Sequence, residues 1–198
     1  RPFLERRNWR IFHTTGTTER PDVLCSKLLE GRVALLIDGT PFAIFLPKLF
    51  MENFQTLDDY TCKPYYAAFV RWIKYLAFFL ALLLPGIYTA IALHHPELLN
   101  STLLQLLTEA EANAPFSLMT ESIGVLLMYE VIREAGIRLP KAVGGAVSIV
   151  AGLIIGDAAV SSGFISTPLL TVTALSVTTG FVIPELSHEI TVFRFLFI

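Results

Sequence analysis

The second half of this chain has almost no charge. Residues 142–184 contain no lysine or arginine and a single carboxylate, Asp157, whereas residues 1–75 hold eleven of the fifteen basic residues. Over the whole chain 54% of residues are hydrophobic and only 16% are charged, against about 25% in typical soluble domains. This deficit argues against a simple soluble protein and indicates that the back of the chain is built for lipid.

The chain also has few cysteines, a small net charge and no apolar leader at its start. Two cysteines, Cys25 and Cys62, do not make a disulfide framework, and we expect reduced thiols. A net charge of −2 gives no electrostatic basis for nucleic-acid binding, and the basic residues within positions 1–10 are interpreted as a solvated face. The chain begins without methionine or an apolar leader and ends in a rising apolar run. We therefore expect a piece of a longer protein.

Catalytic and metal-binding signatures are lacking too. The chain has no GxxxxGK[ST], GxGxxG or GxSxG motif. The stretch "HEITV" begins like a zinc-binding HExxH motif, but Val192 stands where the second histidine is needed. The adjacent His94 and His95 point to different helix faces, so they are interpreted as interfacial residues. We expect no enzyme, no metal site and no cofactor.

The front of the chain predicts a small α/β segment. Residues 20–31 have a loosely amphipathic helical pattern. Two β-rich runs then flank Asp38-Gly39, a dipeptide that favours a tight hairpin because both residues tolerate positive φ. We predict that residues 1–70 are the C-terminal part of a cytoplasmic α/β domain, with a β-hairpin over residues 32–46.

A first membrane span is predicted after this segment. The eighteen uncharged residues 76–93 meet the length needed to cross a hydrocarbon core of about 30 Å. Basic and aromatic residues precede them, as at a cytoplasmic membrane interface, so we place the span at about 72–93. Pro85 and Gly86 in its middle predict a kink whose freed carbonyl is satisfied by neighbouring helices.

The stretch after this span is more polar and harder to place. Residues 94–115 predict an external loop with a short amphipathic helix. Residues 116–139 are amphipathic, with Glu121 and Glu130 as intramembrane or interfacial acidic groups. This segment either crosses the membrane, which the positive-inside rule favours, or re-enters from one side.

Further spans are predicted at residues 142–165 and 168–184, joined by a tight connection, and another begins near residue 190. The membrane domain then covers residues 71–198. The predicted fold class is a multi-pass α-helical membrane domain preceded by the end of a small cytoplasmic α/β domain.

Small residues recur at helical spacing along the 142–165 span. They fall within roughly 40° of one line on a helix, and we call them the small-residue stripe: Gly145, Ser148, Gly152, Gly156, Ala159 and Gly163. Such stripes let membrane helices approach closely, so the stripe is a predicted helix-packing face. Asp157 lies about 140° from its centre.

Asp157 has three possible roles. A lone charge inside a membrane is costly and faces a partner or a water-filled path. Asp157 is either part of an ion path or gate, together with Val160 and Ser161, or a buried polar contact to another helix, or an interfacial residue near the helix end.

A family resemblance extends over nearly the whole chain. It rests on seven stretches in a specific order: "TERPD" (18–22), "LLEGRVALLIDGTPFAIFLP" (28–47), "FQTLDDY" (54–60), "LLLPGIYTAI" (82–91), "HPELL" (95–99), "REAGIRLP" (133–140) and "IIGDAAVSSGFIS" (154–166). Together they resemble the A subunit of the GerA-type germinant receptors of endospore-forming bacteria. The family pattern after Gly156 varies in type, so the resemblance does not make Asp157 an invariant residue.

The resemblance implies a receptor subunit in the spore inner membrane with its N-terminal part in the cytoplasm. It implies a homo-oligomer that works with a transporter-like B subunit and a lipoprotein C subunit. It further implies a nutrient-gated cation channel whose opening starts germination. Two alternatives remain: a secondary transporter or permease, which the Pro85-Gly86 break would suit, and a structural subunit that only assembles the complex.

Overall fold

The protein is mostly helical, with a small antiparallel sheet near its start. The computed structural model describes residues 13–56, 58–183 and 186–198. The basic cluster within positions 1–10 and the end of the predicted 168–184 span lie outside these residues. The chain divides into two compact units, Arg1–Tyr75 and Leu76–Ile198, which are described in turn.

The first unit contains a three-stranded sheet and one helix packed near it. Its strands are β1 (Gly16–Thr18), β2 (Val33–Leu36) and β3 (Ala43–Leu46), in the spatial order β1-β3-β2 with both pairs antiparallel. Helix α1 (Pro21–Leu29) connects β1 to β2. The turn between β2 and β3 contains Gly39 at φ +82°, a backbone conformation that side chains disfavour. The central strand β3 is the buried one, since all three residues from Ala43 to Phe45 are buried.

The rest of the first unit leads into the long helix. A 3-10 turn (Phe50–Phe54) and the short α2 (Asp58–Thr61) precede α3 (Pro64–His94). Lys74 is buried and donates to Thr56 Oγ1 at 3.1 Å and to Asp59 Oδ2 at 2.7 Å. Burial alone would raise the pKa of Asp59, but its hydrogen bonds to Lys74 and Thr56 outweigh burial and lower that pKa. The buried cation at the start of α3 is therefore satisfied by the segment just before it.

The second unit contains the remaining helices. After α3 and a 3-10 turn (Pro96–Leu98) come α4 (Ser101–Asn113), α5 (Leu118–Arg138), α6 (Lys141–Leu153), α7 (Thr167–Gly180) and α8 (Ser187–Leu196). The predicted amphipathic stretch 116–139 is thus one continuous helix, α5, and its crossing of a membrane stays a prediction. One buried cluster of this unit consists of Leu118, Val125, Ile165 and Leu169.

Helix α3 is long and apolar enough to cross a membrane, judged by length and composition. Among the described residues it alone meets that test, with a mean hydropathy of 2.3 over its most apolar 18 residues. Residues 143–159 form a shorter apolar helical stretch.

The proline in α3 leaves one backbone carbonyl without its usual hydrogen bond, and side chains of two neighbouring helices donate to that carbonyl instead. Pro85 has no N–H to donate to the carbonyl of Ala81 one turn earlier. That carbonyl instead accepts from Ser176 Oγ of α7 at 2.8 Å and from Arg194 Nε of α8 at 2.9 Å. Gly86 follows, and a Cβ on it would overlap the backbone carbonyl of Phe197. The break in α3 is therefore completed by α7 and α8.

A polar contact joins α5 to α8. Arg133 pairs with Glu130 one turn before it and donates to Thr191 Oγ1 of α8 at 2.9 Å. The predicted acidic residue Glu130 is thus paired within the chain.

Candidate functional site

The candidate site lies on the helix that contains Asp157. Helix α6 does not end at Leu153: its backbone continues as a π-helical segment over Ile154–Ala159, which we call the π segment, and returns to α-helix at residues 160–161. In a π-helix each N–H bonds the carbonyl five residues back, and such segments are rare and frequent at functional sites. The angular positions expected for an uninterrupted α-helix therefore do not carry through residues 154–159.

The helix ends in a glycine turn. Gly163 has φ +76°, and Phe164 N–H bonds the Ala159 carbonyl while Gly163 N–H bonds the Val160 carbonyl, both at 3.0 Å. These two bonds form a Schellman motif, in which glycine takes the left-handed position after the helix. Gly163, expected in the packing stripe, thus also has a role in ending the helix. After three intervening residues, α7 begins at Thr167.

Asp157 is exposed in the middle of the π segment. Among the described residues, no side chain hydrogen bonds or ion-pairs with its carboxylate. Val160 is half-buried, and Ser161 is exposed with its hydroxyl donating to the Ala158 carbonyl at 3.3 Å. The three predicted gating residues therefore lie within five positions at one end of this helix, with the carboxylate accessible.

The small-residue stripe is open along much of its length. Gly145, Gly152 and Gly156 are exposed, and no described atom lies within 4 Å of a Cβ built on any of them. Ala159 is half-buried, and the side chain of Ser148 lies outside the described part. The stripe's packing role stays a prediction, because no described atom of another helix lies within 4 Å of a Cβ built on Gly145, Gly152 or Gly156.

A different face of α6 makes the close contact with α5. Gly144 is buried, and a Cβ on it would lie 3.0 Å from the Gly136 carbonyl of α5. Ala151 is also buried. Beside this contact the stripe residues Gly145 and Gly152 line a cavity of about 610 Å³. The chain thus packs α6 on α5 through Gly144, while the stripe residue Ala159 packs against the buried cluster and Gly145, Gly152 and Gly156 stay exposed.

Comparison with known proteins decides the family. All of residues 1–198 match the family model described as Bacillus/Clostridium GerA spore germination protein. The chain belongs to this family. The resemblance inferred from its seven stretches is therefore confirmed.

Curated relatives agree with the GerA assignment. The chain is 38% identical over 197 residues to "Spore germination protein KA" of Bacillus subtilis (strain 168), a match that covers 98% of this chain and 36% of that protein. It is 38% identical over 190 residues to "Spore germination protein GerQA" of Bacillus cereus, covering 95% of this chain and 38% of that protein. It is also 36% identical over 190 residues to "Uncharacterized membrane protein YfkQ" of Bacillus subtilis (strain 168), covering 96% and 37%. No solved structure matches the chain.

The GerA chain therefore spans less than two fifths of the length of these relatives. Two of the three are named for spore germination and the third for a membrane location.

Three features of this GerA chain were missed by sequence reasoning. The π segment could not be predicted, because no residue pattern known to us indicates a π-helix there. The burial of Glu121 against the start of α7 needed the tertiary fold, although an acid at an intramembrane or interfacial position was expected. Arg194 could have been singled out as an arginine in an apolar run, which needs a partner, although the sequence does not show which partner it meets.

Proposed function

We propose that this chain belongs to a spore germination receptor A subunit that assembles into a homo-oligomeric, nutrient-gated cation channel, and that residues 71–198 are its membrane domain. In this proposal the helix carrying the π segment lies beside the ion path, and Asp157, Val160 and Ser161 line or gate it. The GerA family membership supports a role in germination. The exposed Asp157 carboxylate within an uncharged helix carries the channel proposal.

The exposure of α3 supports a membrane location. In a soluble protein an apolar helix of this length is a core helix and is mostly buried, whereas only 22% of the most apolar window of α3 is buried. Trp72 and Tyr65, near the start of α3, are 75% and 89% exposed, as expected for an aromatic belt at the membrane interface. We propose a spore inner-membrane location with residues before α3 in the cytoplasm, and further crossings by α5, α6 and α7.

The position of Asp157 supports a role in conduction. The helical stretch 142–161 has no other charged side chain, and among the described residues Asp157 has no partner. A carboxylate inside a membrane needs a counter-charge, a hydrogen-bond donor or water. A water-filled path at the axis of an oligomer would supply that water. A ring of carboxylates around the path would favour cations.

The open stripe supports assembly with other copies or subunits. Exposed glycines at Gly145, Gly152 and Gly156 leave room for another helix backbone to approach closely. We propose that a second copy of this chain covers the stripe, and that the transporter-like B subunit and the lipoprotein C subunit bind elsewhere on the complex.

Asp157→Asn tests the gating role because it removes the charge and keeps the size. We expect slower ion release and an altered germinant response in spores whose receptor level is normal, together with lower single-channel conductance of the reconstituted full-length protein. Glu97→Gln, which removes an exposed carboxylate outside the helices, is the matched control and should change neither.

Normal germination kinetics and conductance in Asp157→Asn would contradict the gating role. An oligomer that never conducts, with or without germinant, would instead favour the structural assembly subunit. Substrate-dependent uptake into vesicles would favour the transporter.

A further inference from the structure

A second cavity lies between the start of α5 and the end of the helix that contains Asp157. Its volume is about 580 Å³, within the range of roughly 300–1,000 Å³ that small-molecule sites occupy. Phe116, Val125, Met128, Phe164 and Ile165 form most of its walls. The rings of Phe116 and Phe164 stack with centroids 6.5 Å apart at 29°. A space of this size and polarity accommodates a small apolar body.

One residue of the cavity wall is a buried carboxylate. Glu121, in the first turn of α5, is only 4% exposed. Its Oε1 accepts a hydrogen bond from the backbone N–H of Ser166, the residue that precedes α7. Its Oε2 is buried and has no hydrogen-bond partner in the described part of the chain. A buried carboxylate with one oxygen unpaired is costly until a proton, water or cation reaches it.

Further polar groups around Glu121 favour a cation. The Tyr88 hydroxyl and Ser166 Oγ are also buried without a hydrogen-bond partner among the described residues. Tyr88 lies close enough to Glu121 for the carboxylate charge to act on its hydroxyl. Burial raises the pKa of Glu111 in α4, and the negative charge of Glu121 raises it further. The charge of Glu121 therefore acts on neighbouring groups that are not cationic, and a positive charge beside Glu121 would be stabilised.

We propose that this cavity binds a small monocationic amine, with its ammonium on the free Oε2 of Glu121 and its apolar body against Phe116 and Phe164. The ammonium supplies the hydrogen-bond donor that the carboxylate lacks, and charge-assisted bonds of this kind are the strong ones. The apolar walls take up the rest of the ligand.

Other ligand classes suit the lining less well. A zwitterionic amino acid would bring its own carboxylate to a wall whose described residues include no lysine, arginine or histidine. A metal ion would leave most of the apolar space empty, and a neutral apolar molecule would leave Oε2 unpaired. The site is independent of the proposed ion conduction, because binding can be measured on a protein that conducts nothing.

Calorimetry with benzylamine tests this site on the full-length protein that contains this chain, reconstituted in phosphatidylcholine nanodiscs. We expect saturable binding of benzylamine and at least tenfold weaker binding of benzyl alcohol, which has the same shape without the charge. Glu121→Gln should weaken benzylamine binding at least tenfold. Glu134→Gln, which changes a half-buried acid on the same helix that pairs with Arg138, is the control and should bind like the unmodified protein.

A second variant separates binding from folding. No described atom lies within 4 Å of a Cβ built on Gly124, which lines the cavity. Gly124→Leu should therefore fill the space without disturbing Glu121, and abolish benzylamine binding while the thermal unfolding midpoint stays within a few degrees. Equal binding of the amine and the alcohol, or unchanged binding in either Glu121→Gln or Gly124→Leu, would overturn the proposal.

The ammonium could belong to a free amine or to a lipid headgroup. Nanodiscs containing phosphatidylethanolamine distinguish these sources. If the lipid supplies the ammonium, phosphatidylethanolamine competes and weakens benzylamine binding severalfold relative to phosphatidylcholine. If a free amine is the ligand, the two lipids give the same affinity.

Discussion

Two of the described helices depart from the regular α-helical hydrogen-bond pattern, and the two departures are completed differently. In α3 the carbonyl freed by Pro85 accepts hydrogen bonds from Ser176 and Arg194, and Gly86 lies against the backbone at Phe197. In the helix of α6 the π segment presents Asp157 with no described side-chain partner. The break in α3 is closed within the chain, whereas the irregular part of α6 is left open.

This difference indicates where outside partners are needed. A buried polar group must find its hydrogen-bond partners somewhere, and α3 finds them in α7 and α8. The exposed Asp157 carboxylate of α6 has no side-chain partner among the described residues. The exposed glycines of α6 have open space around them. We therefore expect substitutions at the α3 break to act on the fold of one subunit, and substitutions on α6 to act on assembly and conduction.

Gly86→Ala is expected to have the largest effect on the fold of one subunit. Its added methyl group would overlap the Phe197 carbonyl, a backbone atom that cannot turn aside. Overpacking of this kind costs about 3 kcal/mol of unfolding free energy. Gly124→Ala has open space and should instead gain about 0.5–1 kcal/mol. Denaturation in mixed micelles measures both, and equal effects of the two substitutions would contradict the close contact.

Arg194→Leu tests whether Arg194 stabilises the fold through its hydrogen bond to the Ala81 carbonyl. We expect a loss of about 2 kcal/mol in unfolding free energy, since hydrogen bonds to charged groups contribute about 1.5–3 kcal/mol. In a Pro85→Ala background residue 85 regains an N–H for the Ala81 carbonyl, so the loss should shrink by about 1 kcal/mol. The same denaturation assay on the four proteins of this cycle gives the coupling. Identical losses in both backgrounds would show that Arg194 acts elsewhere.

Gly152→Leu is expected to change the stability of one subunit least and assembly most. No described atom lies within 4 Å of its added Cβ, and leucine favours helix over glycine by up to about 1 kcal/mol. The isolated subunit should therefore be as stable as before or slightly more so. If another copy packs on the stripe, the side chain blocks it, and oligomer mass by light scattering should fall. A stable oligomer of unchanged mass would place the assembly surface away from the stripe.

Local patterns predicted the parts of this fold that local chemistry decides. The positive φ of Gly39 lies at the turn where Asp38-Gly39 pointed to a hairpin, and the freed carbonyl expected from Pro85 is satisfied by neighbouring helices. Family membership followed from the order of seven short stretches, which no single one would have supported.

The remaining features depend on contacts that no local pattern encodes. Arg194 meets Ala81 across 113 residues, and Ser166 meets Glu121 across 45. A helical-wheel projection of an ideal α-helix also placed every stripe residue on one face. The π segment changes the angle per residue from Ile154 onward, so the projection does not hold there. The face of α6 that contacts α5 includes Gly144, a neighbour of the stripe and not one of its members.

The hydrogen bonds to the Ala81 carbonyl also form late during synthesis, because their donors follow α3 in the chain. Ser176 and Arg194 follow Ala81 by 95 and 113 residues, which at a ribosome speed of about 5–20 residues per second is a delay of roughly 5–20 s. During that interval α3 has left the ribosome while its donors have not. Water, lipid headgroups or the insertion machinery must hold the Ala81 carbonyl until then. The first apolar helix of the chain therefore reaches its final form only after the last described helix has been made.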